Sequence, residues 1–213
     1  MNLIESIKNL TKFERLLWAG SVILVLASFF VGSQQDWLTL ISSLIGVTAL
    51  IFVSKGDVLG QIITVIFAVF YGIISFKLKY YGEMITYLGM TAPIAMISVI
   101  SWVKNPYSKH QVRVSKMNKT KWAILLILTS GVTVVFYFIL KALGNASLIV
   151  STFSIFTSFL AASLTTLRSE YYALAYSAND IVLIILWSVA TADNIQYLPM
   201  VICFAVFLAN DIY

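Results

Sequence analysis

The string ANDI occurs twice, at 178–181 and 209–212, and each copy sets an amide beside a carboxylate. The first lies inside YYALAYSANDIVLIILW and the second closes YLPMVICFAVFLANDIY. A carboxylate near the middle of a bilayer costs about 2.5–3.5 kcal/mol on insertion scales, so such residues face a cavity or a partner. Asp180, about halfway along its apolar run, is the clearest case. Consecutive helical positions differ by about 100°, so Asn179 and Asp180 meet different neighbours. In one division Asn179 faces a ligand while Asp180 pairs across a helix–helix contact. In the other, both are interhelical hydrogen bonds worth about 0.6 kcal/mol each. Asn210 and Asp211 stand near the end of the last run, where an acid is less costly, so Asp211 alone argues little.

Aromatic groups accompany these amides. Tyr172, Tyr176 and Asn179 are spaced i, i+4, i+7 on one helical face, with Trp187 eight residues beyond Asn179. Rings stack a flat ligand and an amide reads its edge, so the stripe suits a flat, uncharged, hydrogen-bonding solute. The competing use of each ring is packing against lipid or a neighbouring helix. Earlier in the chain, Gln61 and Thr64 share a face, and Glu83, Thr86, Tyr87 and Met90 form another stripe ahead of Pro93, which can kink the helix. Glu83 reads as a solvated residue near the outer surface.

The rest of the sequence excludes most chemistry. It has no HExxH, GxSxG, Gly-rich phosphate loop or paired metal ligands. The single Cys, Cys203, lies in an apolar run, and the single His, His110, lies in a basic loop beside Lys109, so neither belongs to a catalytic or metal constellation. No catalytic residue, metal or cofactor is expected. A membrane enzyme built on Asp180 would need a second acid or a metal in the same cavity.

What positions these groups is a set of membrane helices. Of the 213 residues, 60% are hydrophobic and 11% charged, far from a soluble domain's balance. Unbroken apolar runs indicate helices rather than barrel strands. Eight segments are expected: 16–32, 37–54, 58–76, 81–103, 122–140, 146–167, 171–190 and 197–213. The first reads as a retained helix rather than a cleaved signal. The last stops at Tyr213 without a polar tail, which leaves room for a continuation. The net charge of +5 gathers in loops rather than on a polar face, which argues for a bilayer and against nucleic acid. With the N-terminus inside, only Lys77, Lys79 and Lys141 of the fourteen basic residues are outside, so both termini are expected in the cytoplasm. The stretch KNPYSKHQVRVSKMNKTK is then the dominant inside loop.

An offset of 116 residues aligns 70–90 with 186–206, setting Tyr71 against Trp187 and Tyr81 against Tyr197. The fold class expected is an all-α integral membrane protein, a helical bundle of parallel three-helix repeats in a 3+1+3 arrangement. Residues 1–36 hold an extension and extra helix, 37–103 the first repeat, 104–145 the basic loop and linker helix, and 146–213 the second repeat. A carrier for a small aromatic solute fits best, and a homo-oligomer is compatible with it.

The segments SLIGVTALIFVSKGDVLGQIITVIFAVFYGIISFKLKYYGEMITYLGM and RSEYYALAYSANDIVLIILW, with the closing YLPMVICFAVFLANDIY, together resemble the PnuC family of bacterial vitamin transporters, over about residues 37–213. The resemblance implies a multi-pass cell-membrane protein related to the SWEET sugar-transporter fold. It implies import of nicotinamide riboside by facilitated diffusion, with a cytoplasmic kinase trapping the substrate; thiamine or a deoxynucleoside is the substrate in relatives. It also implies that Asn179 and Asn210 are the family's cavity amides. The family's W-x-x-W motif falls on Tyr172 and Ala175, and its Gln falls near Tyr87, so stacking would pass to Tyr172, Tyr176 or Trp187.

Overall fold

The computed structural model describes residues 6, 8–31, 36–108 and 111–212. Gly32, Lys109, His110 and Tyr213 lie outside the described residues. The helices are α1 (Lys12–Phe29), α2 (Trp37–Ser54), α3 (Val58–Lys77), α4 (Tyr81–Lys104), α5 (Lys119–Ala142), α6 (Leu148–Thr166), α7 (Tyr172–Asp193) and α8 (Leu198–Ile212). Among the described residues, seven helices, from α2 onward, are long and apolar enough to cross a membrane. A short 3-10 turn, Ile195–Tyr197, leads into the last of them. The eighth, α1, carries Lys12, Glu14 and Arg15 in its first turn before its apolar part begins.

Helix starts follow their caps. The side chains of Asp36, Asp57 and Asn118 accept from the amides of Leu38, Leu59 and Lys121, satisfying donors that a helix leaves open. Thr11 and Glu14 close a capping box on α1. Between α2 and α3 the chain reverses through Gly56 at φ +70°, a conformation that costs glycine little. The two helices then touch so closely that a Cβ on Gly60 would stand 2.4 Å from the Val53 nitrogen.

α4 is not uniform. Its central residues, Thr86–Thr91, form a π-helix between α-helical Tyr81–Ile85 and Ala92–Lys104. Pro93 stands just after it, lacks an amide hydrogen, and would crowd the carbonyl four residues earlier. The π turn widens the helix where that conflict falls, which turns the expected kink into a local change of register.

α2 packs on α3 and α8; α7 packs on α6 and α8; α3 packs on α4. α1 lies against α2 and α8, where the Trp18 Nε1 donates to Thr48 Oγ1 at 3.1 Å. The linker helix α5 stands outside, with only Leu125, Thr129 and Leu140 buried and Ile127, Val135 and Phe138 exposed. Such an apolar exterior is the surface a lipid-facing helix presents.

The basic loop carries regular structure of its own. Pro106–Ser108 and Gln111–Val112 pair as a small antiparallel hairpin. From the second strand onward, the amides of Val112, Arg113 and Ser115 donate to the carbonyls of Gly56, Asn105 and Arg168. The loop thereby straps the end of the bundle where α2, α4 and α6 finish.

Candidate functional site

A narrow cavity of about 50 Å³ lies between the helices of the two halves. α2 contributes Gly46, Ala49, Leu50 and Val53; α3 contributes Gln61, Thr64 and Phe67. Tyr87 and Thr91 come from the π turn of α4, and Ser158 from α6. Tyr176, Asn179 and Asp180 come from α7, and Phe207 and Asp211 from α8. Ligand sites are commonly apolar and aromatic with a few convergent polar groups, and this one has that character.

Six residues singled out in the sequence therefore meet in one place: Gln61, Thr64, Tyr87, Tyr176, Asn179 and Asp180. Asn179 is 2% exposed, and its Oδ1 accepts from Thr157 Oγ1 and Ser158 Oγ, both at 2.8 Å. With the carbonyl oxygen committed to two hydroxyls, the amide NH₂ is left as the donor for the cavity. Gln61 is also buried, one turn into α3. Gly46 lets the rings close in, since a Cβ there would stand 2.9 Å from both Phe67 and Phe207.

Asp180 has an acid for a neighbour. Its carboxyl and that of Asp211 lie within hydrogen-bonding reach, and Oδ2 of each has no partner within the chain. Sequence reading discounted Asp211 because it stands near a helix end. Asp211 does stand in the last turn of α8, half-buried, and from there it lines the cavity beside Asp180.

The other half of the bundle is filled. Trp187 Nε1 donates to Tyr71 Oη at 2.7 Å, and Tyr71 Oη donates to Glu83 Oε2 at 3.3 Å. The Tyr71 ring lies 4.1 Å from Tyr87, 5.5 Å from Trp187 and 5.6 Å from Phe204, centroid to centroid. Tyr80, Leu183, Leu186 and Met200 complete this core. Glu83 corrects an expectation: it is fully buried rather than solvated, because α4 turns it toward α3 and the Tyr71 hydroxyl.

Three further candidates fall outside the cavity lining. Trp187 belongs to the aromatic core just described. Tyr172 reaches back to α2, where its Oη donates to the Val53 carbonyl at 3.2 Å. Asn210 is 4% exposed, precedes Asp211, and has both amide atoms without partners within the chain. Phe67, Thr91, Ser158 and Phe207 were missed, since apolar and hydroxyl residues in apolar helices carry no signal of their own.

A multi-pass bundle of apolar helices, plugged at one end by aromatics and hollow at the other around amides, carboxyls and rings, is built as a carrier for a small solute. Residues 36–213 match the model of the nicotinamide mononucleotide transporter family, and the chain belongs to that family of membrane transporters. It is 26% identical over 210 residues to the nicotinamide riboside transporter PnuC of Neisseria mucosa, which covers 95% of this chain and 79% of that one. It is 24% identical over 212 residues to the nicotinamide riboside transporter PnuC of Haemophilus influenzae, covering 98% and 90% respectively. A crystal structure of the vitamin B3 transporter PnuC is similar in fold, with a TM-score of 0.84 at 23% identity over 96% of this chain and 89% of that one.

Proposed function

We propose that this protein imports nicotinamide riboside by facilitated diffusion. The observation that carries the reading is the pinned Asn179 amide, held in one cavity with Gln61 and the rings of Tyr87 and Tyr176. An amide donor, an amide partner and aromatic faces suit a carboxamide-bearing ring joined to ribose. The named function of the two relatives agrees with it. Thr64 and Asp180 complete the polar set of the lining, and Asn210, Tyr172 and Trp187 support it from outside the lining.

Both termini face the cytoplasm, supported by the concentration of Lys and Arg at the end of the bundle that carries the basic loop. The cavity then lies in the cytoplasmic half and the Tyr71–Trp187 core closes the outer half. The two triplets, 37–103 and 146–213, are parallel repeats; a hydrogen bond between residues 116 apart is what an axis passing between equivalent positions would give. Phosphorylation by a cytoplasmic kinase would keep the gradient downhill without ion coupling.

Thiamine or a deoxynucleoside is the second reading, favoured by Tyr172, Ala175 and Tyr87 where the family motif carries other residues. Calorimetry on the purified protein decides. Binding of nicotinamide riboside is expected; binding of thiamine or a deoxynucleoside in its place would reassign the substrate.

A further inference from the structure

Hydrogen bonding through Asn179 leaves the two carboxyls of the cavity unexplained. Asp180 on α7 is 2% exposed, yet it and Asp211 on α8 meet with one oxygen each unpartnered. The titratable groups facing them are Tyr87 on α4, Tyr172 and Tyr176 on α7, and Cys203 on α8. None of these can neutralise a carboxylate. No Lys, Arg or His is among the described residues that line the cavity. A charge taken out of water is costly unless it is paired. Two carboxyls within hydrogen-bonding reach share a proton or, if both are ionised, repel each other, and a cation placed against both favours the ionised pair. The rings of Phe67, Tyr87, Tyr176 and Phe207 add π faces, which attract cations.

We infer that Asp180 and Asp211 are the counter-charge for a permanently cationic aromatic ring, an N-substituted pyridinium or thiazolium, and that they make the cavity select such cations over neutral molecules of the same shape. This rests on the reading of the cavity as a nicotinamide riboside site. It replaces the uncharged ligand suggested by the aromatic and amide stripe alone. Asn179 and Gln61 read the edge of the ring, and the acid pair reads its charge.

The test is calorimetry on the full chain with three probes: nicotinamide riboside, benzamide riboside and thiamine. Benzamide riboside keeps the carboxamide and ribose but has carbon in place of the charged ring nitrogen. The wild-type protein is expected to bind nicotinamide riboside at least about tenfold more tightly than benzamide riboside. Asp180→Asn and Asp211→Asn should each shrink that ratio toward one by weakening the cation and sparing the neutral isostere. Equal binding of the two ribosides by wild-type protein overturns the inference, whatever the variants do. So does an undiminished ratio in a monodisperse double variant. If thiamine binds, nicotinamide riboside does not, and the variants lose thiamine, then the counter-charge stands and the substrate reading falls. If only a neutral deoxynucleoside binds, both fall.

Discussion

Trp187 and Tyr71, 116 residues apart in sequence, are joined by a 2.7 Å hydrogen bond within the aromatic core that fills one end of the bundle. The same tyrosine hydroxyl passes its own hydrogen to the buried Glu83. Both residues come from the stretches that the 116-residue offset aligns, and their side chains reach each other from α3 and α7.

Tyr71→Phe should therefore strand two buried groups at once, the Trp187 N–H and the Glu83 carboxyl. Leaving buried polar groups unsatisfied costs about 1–3 kcal/mol. Thermal unfolding in detergent should show a fall of several degrees. Trp187→Phe should cost less when added to Tyr71→Phe than when made alone, because the shared bond is already gone.

Asn179→Ala should abolish substrate binding while the protein stays folded. The paired change Thr157→Val with Ser158→Ala leaves the amide in place but frees it to rotate. Binding there should weaken by about tenfold. Calorimetry with matched size-exclusion profiles separates the two effects. Unchanged affinity in Asn179→Ala would reduce that residue to a helix contact.

Two glycines should fail differently. A Cβ on Gly60 meets the Val53 backbone nitrogen at 2.4 Å, and backbone cannot move aside. Gly60→Ala should destabilise by about 1–3 kcal/mol through overpacking. A Cβ on Gly46 meets ring atoms of Phe67 and Phe207, which can swing into the cavity. Gly46→Ala should lose affinity with little change in Tm.

At the membrane edge, Lys55 Nζ pairs with Glu14 Oε2 at 2.7 Å and also donates to the Asn9 carbonyl. Burial would raise the Glu14 carboxyl; the Lys55 ammonium and the Thr11 cap outweigh it and hold it below its ordinary value. A lowered folded-state value means the pair stabilises the protein above the unfolded carboxylate value. That contribution disappears as pH falls through the folded one. Glu14→Gln should lower the apparent Tm slightly at pH 7, by up to about 1 kcal/mol of stability. The gap from wild type should close on acidification.

Much of this was legible in the sequence because polar residues in apolar runs are conspicuous. Gln61, Thr64, Asn179 and Asp180 announced themselves that way, and the helices that carry them begin and end close to the apolar runs. Rotation about a helix was harder to judge than position along it. Eight residues turn a helix by about 800°, so Trp187 lies roughly 80° off the face of Asn179 and enters the aromatic core instead. Tyr172 keeps the face of Asn179 but stands two turns nearer the helix start, where Val53 takes its hydroxyl. Glu83 was read from depth alone, and packing turned it inward. The π turn of α4, which brings Tyr87 and Thr91 to the cavity, depends on a hydrogen-bond shift that no periodicity displays.

The central claim is that this cavity carries nicotinamide riboside down its gradient through Asn179. Uptake of labelled nicotinamide riboside into vesicles containing only the purified protein tests it most directly. The internal concentration should rise to equal the external one with no ion gradient imposed, and Asn179→Ala vesicles should remain at the protein-free background. Uptake of thiamine or a deoxynucleoside but not nicotinamide riboside, or accumulation above the external concentration only when an ion gradient is imposed, would contradict it.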